Sequence, residues 1–220
     1  MIQAVIFDFD GLLVDSEPLH FATEKNLVER YGGVFNSDLF SSTLGKSTKD
    51  VLAYYQQKCK LDVDLNTLIK EHDKIFLELV DYKLKLMPGT LELIKLLKKE
   101  RIKFIIASSG TSTYLNKALK KIHLLKDFHK FVSIEMVRHG KPAPDLFLEA
   151  SRILKVYPTN CLVLEDASNG IEAAIQAKMN CILINKESTI DIKFSSIIRL
   201  KNLKEINTEI LRSLSICQLY

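Results

Sequence analysis

Four short runs of almost unbroken apolar residues most constrain what this chain can fold into. They are Ile2 to Phe9 (IQAVIFDF), Ile102 to Ala107 (IKFIIA), Cys161 to Leu164 (CLVL) and Cys181 to Ile184 (CILI). Each is rich in branched side chains and too short for a buried helix, so each reads as a strand. Strands without polar alternation are covered on both faces, which points to a parallel sheet between helices. Phe131 to Ile134 and Ser196 to Leu200 are weaker candidates for the same sheet. Between the runs lie helical patterns such as TLELIKLLKKE, with Leu91, Ile94, Leu97 and nearby Leu93 expected on one apolar face. Strand alternating with helix is the α/β pattern.

One stretch breaks the rhythm. From about Ser16 to Lys83 the patterns are helical and no strand is convincing: LHFATEKNLVERYGG, SDLFSSTLG, STKDVLAYYQQKC and LNTLIKEHDKIFLELV. Gly32 and Gly33 stop the first, as glycine does at a helix C-terminus. Ser47 with Asp50 three residues on resembles a helix-start signature in the third. The sheet resumes after the turn signal Met87-Pro88-Gly89.

A chain of 220 residues buries roughly 70% of its unfolded surface and needs no staples. With 47% hydrophobic and 26% charged residues, disordered, collagenous and coiled-coil classes are excluded as its main character. Net charge is only +4, with no block of like charges, which speaks against a nucleic-acid partner. The four cysteines, Cys59, Cys161, Cys181 and Cys217, share no C-x-x-C spacing, so neither a zinc site nor a redox pair is suggested. MIQAVIFDFD lacks a basic leader and no window is apolar enough to span a membrane, so a cytoplasmic location is expected.

Chemistry-bearing residues cluster at the ends of the apolar runs, where open α/β sheets bind ligands. Asp8 ends the first run and Asp10 lies just beyond it, before Gly11. Two carboxylates this close raise one another's pKa or call for a cation; the plainer reading is a pair of solvated turn residues. After the second run come Ser108 and Ser109, suited to a phosphate at a strand-to-helix junction or simply to capping a helix. In HGKPAPDLF, two prolines stiffen the loop around Lys141, either a fixed phosphate-binding charge or an exposed loop lysine. Glu165 and Asp166 end the run CLVLED, and Gly170 follows in the next helix. They suit an oxygen site for Mg²⁺, or a helix N-terminus that favours acid. The four signals together are hard to ascribe to capping preference alone.

In order and spacing, DFDGLLVDSEPLH, the serine after the second run, GKPAPD and EDASNGIEAA resemble the haloacid dehalogenase-like superfamily, in its β-phosphoglucomutase-like and sugar-phosphatase branch. The resemblance runs over nearly the whole chain. It implies a Rossmann-like parallel-sheet core, residues 1–15 and 84–220, with an all-helical cap inserted at 16–83. Two hinge strands are expected near Val14–Glu17 and Lys83–Met87. It implies that Asp8 is a nucleophile forming an aspartyl-phosphate, and Asp10 the general acid/base. Mg²⁺ would be held by Asp8, the Asp10 carbonyl and Asp166, with Glu165 a ligand or a partner behind them. Ser108 and Lys141 would bind the transferring phosphoryl group. Ser109, His20, Gly45, Lys46 and Lys49 are expected around the rest of the substrate.

The resemblance leaves two activities in contest. One is a Mg²⁺-dependent phosphatase acting on small phosphorylated metabolites, sugar or polyol phosphates. The other is a β-phosphoglucomutase, which isomerises β-glucose 1-phosphate to glucose 6-phosphate. Asp10 argues against a dehalogenase, which would lack a carboxylate there. Thr48 stands where the mutase resemblance leads one to expect arginine, and Thr cannot grip a distal phosphate bidentately. His20 fits either activity. The phosphatase reading is therefore preferred, and a monomer is permitted.

Overall fold

The computed structural model describes residues 1–43, 46–185 and 197–214. The chain divides into two compact units, Met1–Asp15 with Lys85–Tyr220, and Ser16–Leu84.

The strands are β1 (Ala4–Phe7), β2 (Val14–Asp15), β3 (Lys85–Leu86), β4 (Lys103–Ala107), β5 (Phe131–Val132), β6 (Cys161–Glu165), β7 (Asn180–Ile184) and β8 (Ile198–Leu200). The helices of the second unit are α1 (Glu17–Arg30), α2 (Ser37–Ser41), α3 (Thr48–Lys58) and α4 (Leu65–Lys83). Those of the first are α5 (Thr90–Lys99), α6 (Ser112–Lys121), α7 (Asp145–Leu154), α8 (Ser168–Gln176) and α9 (Thr208–Ser213).

Six strands form one sheet in the order β5-β4-β1-β6-β7-β8. Every pair is parallel. The apolar runs supply its centre: Ala4, Val5, Ile6 and Phe7 are fully buried, as are Leu162, Val163 and Leu164. Burial on both faces is what unbroken apolar strands predict. The α/β, Rossmann-like reading of the sequence is therefore the observed fold. Phe7 pairs with Ile106 on one side and Leu164 on the other, so β1, β4 and β6 end level with one another.

The weaker strand candidates are shorter than their apolar runs. Ile134 opens a single 3₁₀ turn rather than extending β5. Of the last candidate, Ser196 lies outside the described residues, as does Cys217. Leu91 corrects another expectation: it is 45% exposed, while Thr90, Leu93, Ile94 and Leu97 are buried. At 3.6 residues per turn Leu91 lies roughly a third of a turn from the centre of that buried stripe. β2 and β3 pair antiparallel, Val14 opposite Leu86, and the Met87 N–H donates to the Leu13 carbonyl at 2.9 Å. Glu17 and Lys83 belong to α1 and α4 rather than to these strands.

The helical unit has its own core of Leu27, Phe35, Phe40, Leu52, Tyr55 and Leu68. α1 gives way to Gly32, whose φ of +77° lies in the left-handed region that ends helices. At the start of α3, Ser47 Oγ accepts from the Asp50 N–H and donates to Asp50 Oδ2 at 2.6 Å. Among the described residues, no helix is long and apolar enough to cross a membrane.

Candidate active site

The level ends of β1, β4 and β6 gather the polar residues of the first unit. Asp8 follows β1 directly, and its N–H donates to the Leu164 carbonyl at 3.0 Å, extending the sheet geometry by one residue. The chain then folds back on itself. The Leu13 and Val14 N–H groups donate to the Phe9 carbonyl, and the Gly11 N–H to the Val14 carbonyl. Gly11 makes this turn with φ +75°, a region that side chains avoid. A Cβ there would also stand 2.0 Å from Asp166 Oδ2. Glycine at position 11 thus lets the Asp166 carboxylate lie against the turn that follows Asp8.

Lys141 is held by a short loop. The Ala143 N–H donates to the Gly140 carbonyl at 3.0 Å, and the His139 N–H to Asp145 Oδ1 at 3.2 Å at the start of α7. The Lys141–Pro142 peptide is cis. The ammonium is buried. It donates to Asp8 Oδ1 and Glu165 Oε1 and sits 5.0 Å above the centre of the Phe147 ring. The other oxygen of Glu165 accepts from the N–H groups of Asp166 (3.1 Å) and Ala167 (3.3 Å). Glu165 thereby ties Lys141 to the start of α8. Gly170 makes room for it: a Cβ at 170 would stand 1.8 Å from Glu165 Oε1.

Ser108 follows β4 and is buried, its Oγ accepting from the Gly110 N–H at 2.9 Å. Ser109 is exposed. Asp10 accepts a 2.5 Å hydrogen bond from the Tyr114 hydroxyl, reached from α6. The Tyr114 ring packs edge-on against Phe9, with centroids 5.7 Å apart.

In this cluster four carboxylates face one ammonium. Burial pushes Asp8 up; Lys141 pulls it back and Asp10 adds to the rise. Burial likewise pushes Glu165 up to about 7, against the pull of Lys141. Asp166 rises well above its ordinary value through burial and the charges of Asp8 and Glu165. For Lys141, burial disfavours the ammonium, but Asp8 and Glu165 outweigh it and hold its pKa above the usual lysine range. Asp8, Glu165 and Asp166 are raised chiefly because they are buried, and the one ammonium does not offset that. Asp8, Glu165 and Asp166 each bring a carboxylate oxygen within 4.8 Å of the others, so this group could hold a metal ion.

The structure thus brings Asp8, Lys141, Glu165 and Asp166 together, with Asp10 beside them and Ser108 on the neighbouring strand end. The remaining candidates lie in the helical unit. There His20 stacks on Phe76, with centroids 4.3 Å apart, and burial followed by the charge of His72 lowers its pKa to about 3. Lys46 is exposed, with its ammonium 5.0 Å over the Tyr54 ring, and Lys49 is exposed. Gly45 lies outside the described residues. Sequence reasoning missed Tyr114 and Phe147. Tyr114 left one signal, an aromatic with a polar tip on the inward face of the helix after β4.

Residues 5–184 match the haloacid dehalogenase-like hydrolase family. The chain belongs to that family. A phosphorylated carbohydrates phosphatase of Thermotoga maritima is 33% identical to it, over 80% of this chain and 82% of the relative. A β-phosphoglucomutase of Bacillus subtilis is 32% identical, over 81% of each. The crystal structure of a haloacid dehalogenase hydrolase from Entamoeba histolytica superposes with a TM-score of 0.86. It is 29% identical, and the match covers 97% of this chain and 99% of that one. The chain is an enzyme of the phosphatase type within this family.

Proposed function

We propose that the chain hydrolyses small phosphorylated sugars or polyols through a phosphoenzyme on Asp8, with Mg²⁺ as cofactor. The observation that carries this reading is the buried Lys141 bridging Asp8 and Glu165 beside Asp166. It is a fixed charge at the strand end where a phosphoryl group must be met by a nucleophile. The phosphorylated-carbohydrate activity in the name of the Thermotoga relative supports the substrate class.

The donor set fits Mg²⁺. Its members are all oxygens, burial and then their mutual charge raise the Asp166 pKa, and Gly11 leaves a space for the Asp166 carboxylate that any Cβ would fill. Asp8 and Asp166 would hold the ion with the Asp10 carbonyl, and Glu165, engaged by Lys141 and two N–H groups, would stand behind them. Bound there, Mg²⁺ would offset the charge of the phosphoryl group.

An Asp8 oxygen attacks phosphorus while the ester P–O bond breaks. Asp10 gives its proton to the departing alkoxide. Lys141 and Ser108 hold the equatorial oxygens, where charge spreads during transfer. Asp10, now a carboxylate, takes a proton from water as that water attacks the aspartyl-phosphate and frees Asp8. The covalent intermediate divides one difficult displacement into two easier ones. Thr48, the first residue of α3, offers no bidentate grip on a second phosphate, which favours hydrolysis over isomerisation. The cytoplasm suits the free, buried thiols of Cys161 and Cys181.

The test is a panel of sugar and polyol phosphates that includes β-glucose 1-phosphate, assayed with Mg²⁺. Inorganic phosphate should appear from several of them, and not with Asp8→Asn. Glucose 6-phosphate forming from β-glucose 1-phosphate about tenfold faster than free phosphate, a gap of about 1.4 kcal/mol between barriers, would make the chain a mutase.

A further inference from the structure

A second cluster of ligating side chains lies wholly inside the helical unit, and the reaction above does not use it as a cluster. α1 carries His20 and Glu24 one turn apart on the same face. α4, packed along α1, brings His72 to them. One ligand atom from each of the three lies within 4.8 Å of the other two. Two imidazoles and one carboxylate are the donors of three-ligand Zn²⁺ sites, whose fourth position stays open. The set differs in kind from the all-oxygen group around Asp8.

We infer that His20, Glu24 and His72 form a binding site for a transition-metal ion of the Zn²⁺ or Co²⁺ type, bridging α1 and α4. The surroundings are those of a metal site. A ligand's far side is normally fixed by a partner behind it. The Tyr55 hydroxyl donates to Glu24 Oε2 at 2.6 Å and is itself 2.8 Å from Thr43 Oγ1. His72 Nδ1 lies 3.3 Å from Asp73 Oδ1, a partner of the kind that fixes a ligating imidazole ring. Phe76 orients both rings, lying 4.3 Å from His20 and 5.7 Å from His72 between centroids. Glu24 and His72 are buried while His20 is partly exposed, so an ion would enter past His20.

A buried Glu–His pair kept only for packing would need one imidazole and a hydrogen bond to it. Here there are two, and the Glu24 carboxylate is engaged instead by the Tyr55 hydroxyl. Tetrahedral bonds of about 2.0–2.1 Å place donor atoms about 3.3 Å apart, so the cluster must contract by about 1.5 Å at most, within reach of small side-chain rotations.

The test uses the full chain, stripped of metal by chelation and returned to excess Mg²⁺ so that the carboxylates around Asp8 are satisfied. Adding Co²⁺ should give the intense visible bands of a four-coordinate ion at one equivalent. Calorimetry with Zn²⁺ should give one site. Removing a ligand in His20→Ala or His72→Ala should abolish the bands. Tyr55→Phe, which removes only the partner behind Glu24, should weaken Zn²⁺ binding by about 10- to 100-fold. Asp8→Asn should keep the bands, which separates this site from the one in the proposed reaction. Absence of one-equivalent binding by the wild type, or bands that persist in His20→Ala, would overturn the assignment. Because His20 is partly exposed, its variant keeps the test decisive even if His72→Ala fails to fold.

Discussion

At the scale of single residues, the contact that bears most on the proposed reaction is the one between Tyr114 and Asp10. A carboxylate that gives and then takes a proton must stay aimed at one place, and a buried phenol with its ring packed on Phe9 is a rigid way to aim it. Tyr114→Phe keeps the ring and removes the donor. It should cost about 1 kcal/mol of stability, lower kcat by about tenfold and leave KM near its wild-type value. A change in KM alone would show that Tyr114 serves binding rather than Asp10. Lys141 makes the opposite case, a charge whose partners suffer when it goes. Lys141→Met leaves Asp8 and Glu165 buried without their cation, so a loss of about 3–5 kcal/mol is expected in denaturant melts without divalent metal, together with loss of turnover. A stable Lys141→Met protein in those melts would refute the ion-pair account. The two residues also differ in legibility. Lys141 stands out in sequence because two prolines, Pro142 and Pro144, follow it closely. The Tyr114–Asp10 contact joins residues 104 apart, and no local pattern reports it.

At the scale of elements, the strands were readable because their physics is local. An unbroken apolar run has to be buried on both faces wherever it occurs, and β1, β4, β6 and β7 are such runs. Helix faces were less readable. Leu91 is as apolar as Leu93, and only the neighbours against which α5 packs determine which of them faces inward. The first turn of α8 shows how an element's sequence can be set from outside it. Glycine inside a helix ordinarily costs about 1 kcal/mol against alanine, so Gly170→Ala should stabilise by propensity alone. Here the Cβ would overlap the Glu165 carboxylate, and the carboxylate cannot yield without releasing Lys141. Gly170→Ala should therefore destabilise by about 1–3 kcal/mol, seen as a lower denaturant midpoint at unchanged slope, and should reduce turnover as well. A raised midpoint would show that Glu165 is free to move and that the coupling of α8 to Lys141 is weak.

At the scale of the whole molecule, the excess of buried carboxylates ties stability to pH and, in the proposed site, to metal. Glu165 has a folded pKa near 7, against an ordinary value of 4.5, and Asp8 and Asp166 are shifted in the same direction. The folded state then holds protons that the unfolded chain has released. For a raised carboxyl the stabilising contribution is complete below the unfolded pKa and is lost as pH rises through the folded one. In chelator, stability should therefore fall as pH climbs from about 4.5 to 7 and beyond. In the proposed site Mg²⁺ would compete with those protons, so its gain in unfolding temperature should be near zero at about pH 5 and largest by about pH 8. The net charge of +4 foretold none of this, because it averages over residues whose environments differ completely; the paired acids Asp8/Asp10 and Glu165/Asp166 signalled a raised pKa or a cation, but not how deeply they are buried. Only burial, which depends on the whole sheet, turns three ordinary acids into proton traps. Thermal melts across that pH range, with Mg²⁺ and with chelator, measure the effect directly. Asp166→Asn should flatten the Mg²⁺ dependence. A Mg²⁺ gain equally large at about pH 5 would mean that the carboxylates are already ionised in the fold, and that the lysine alone balances them.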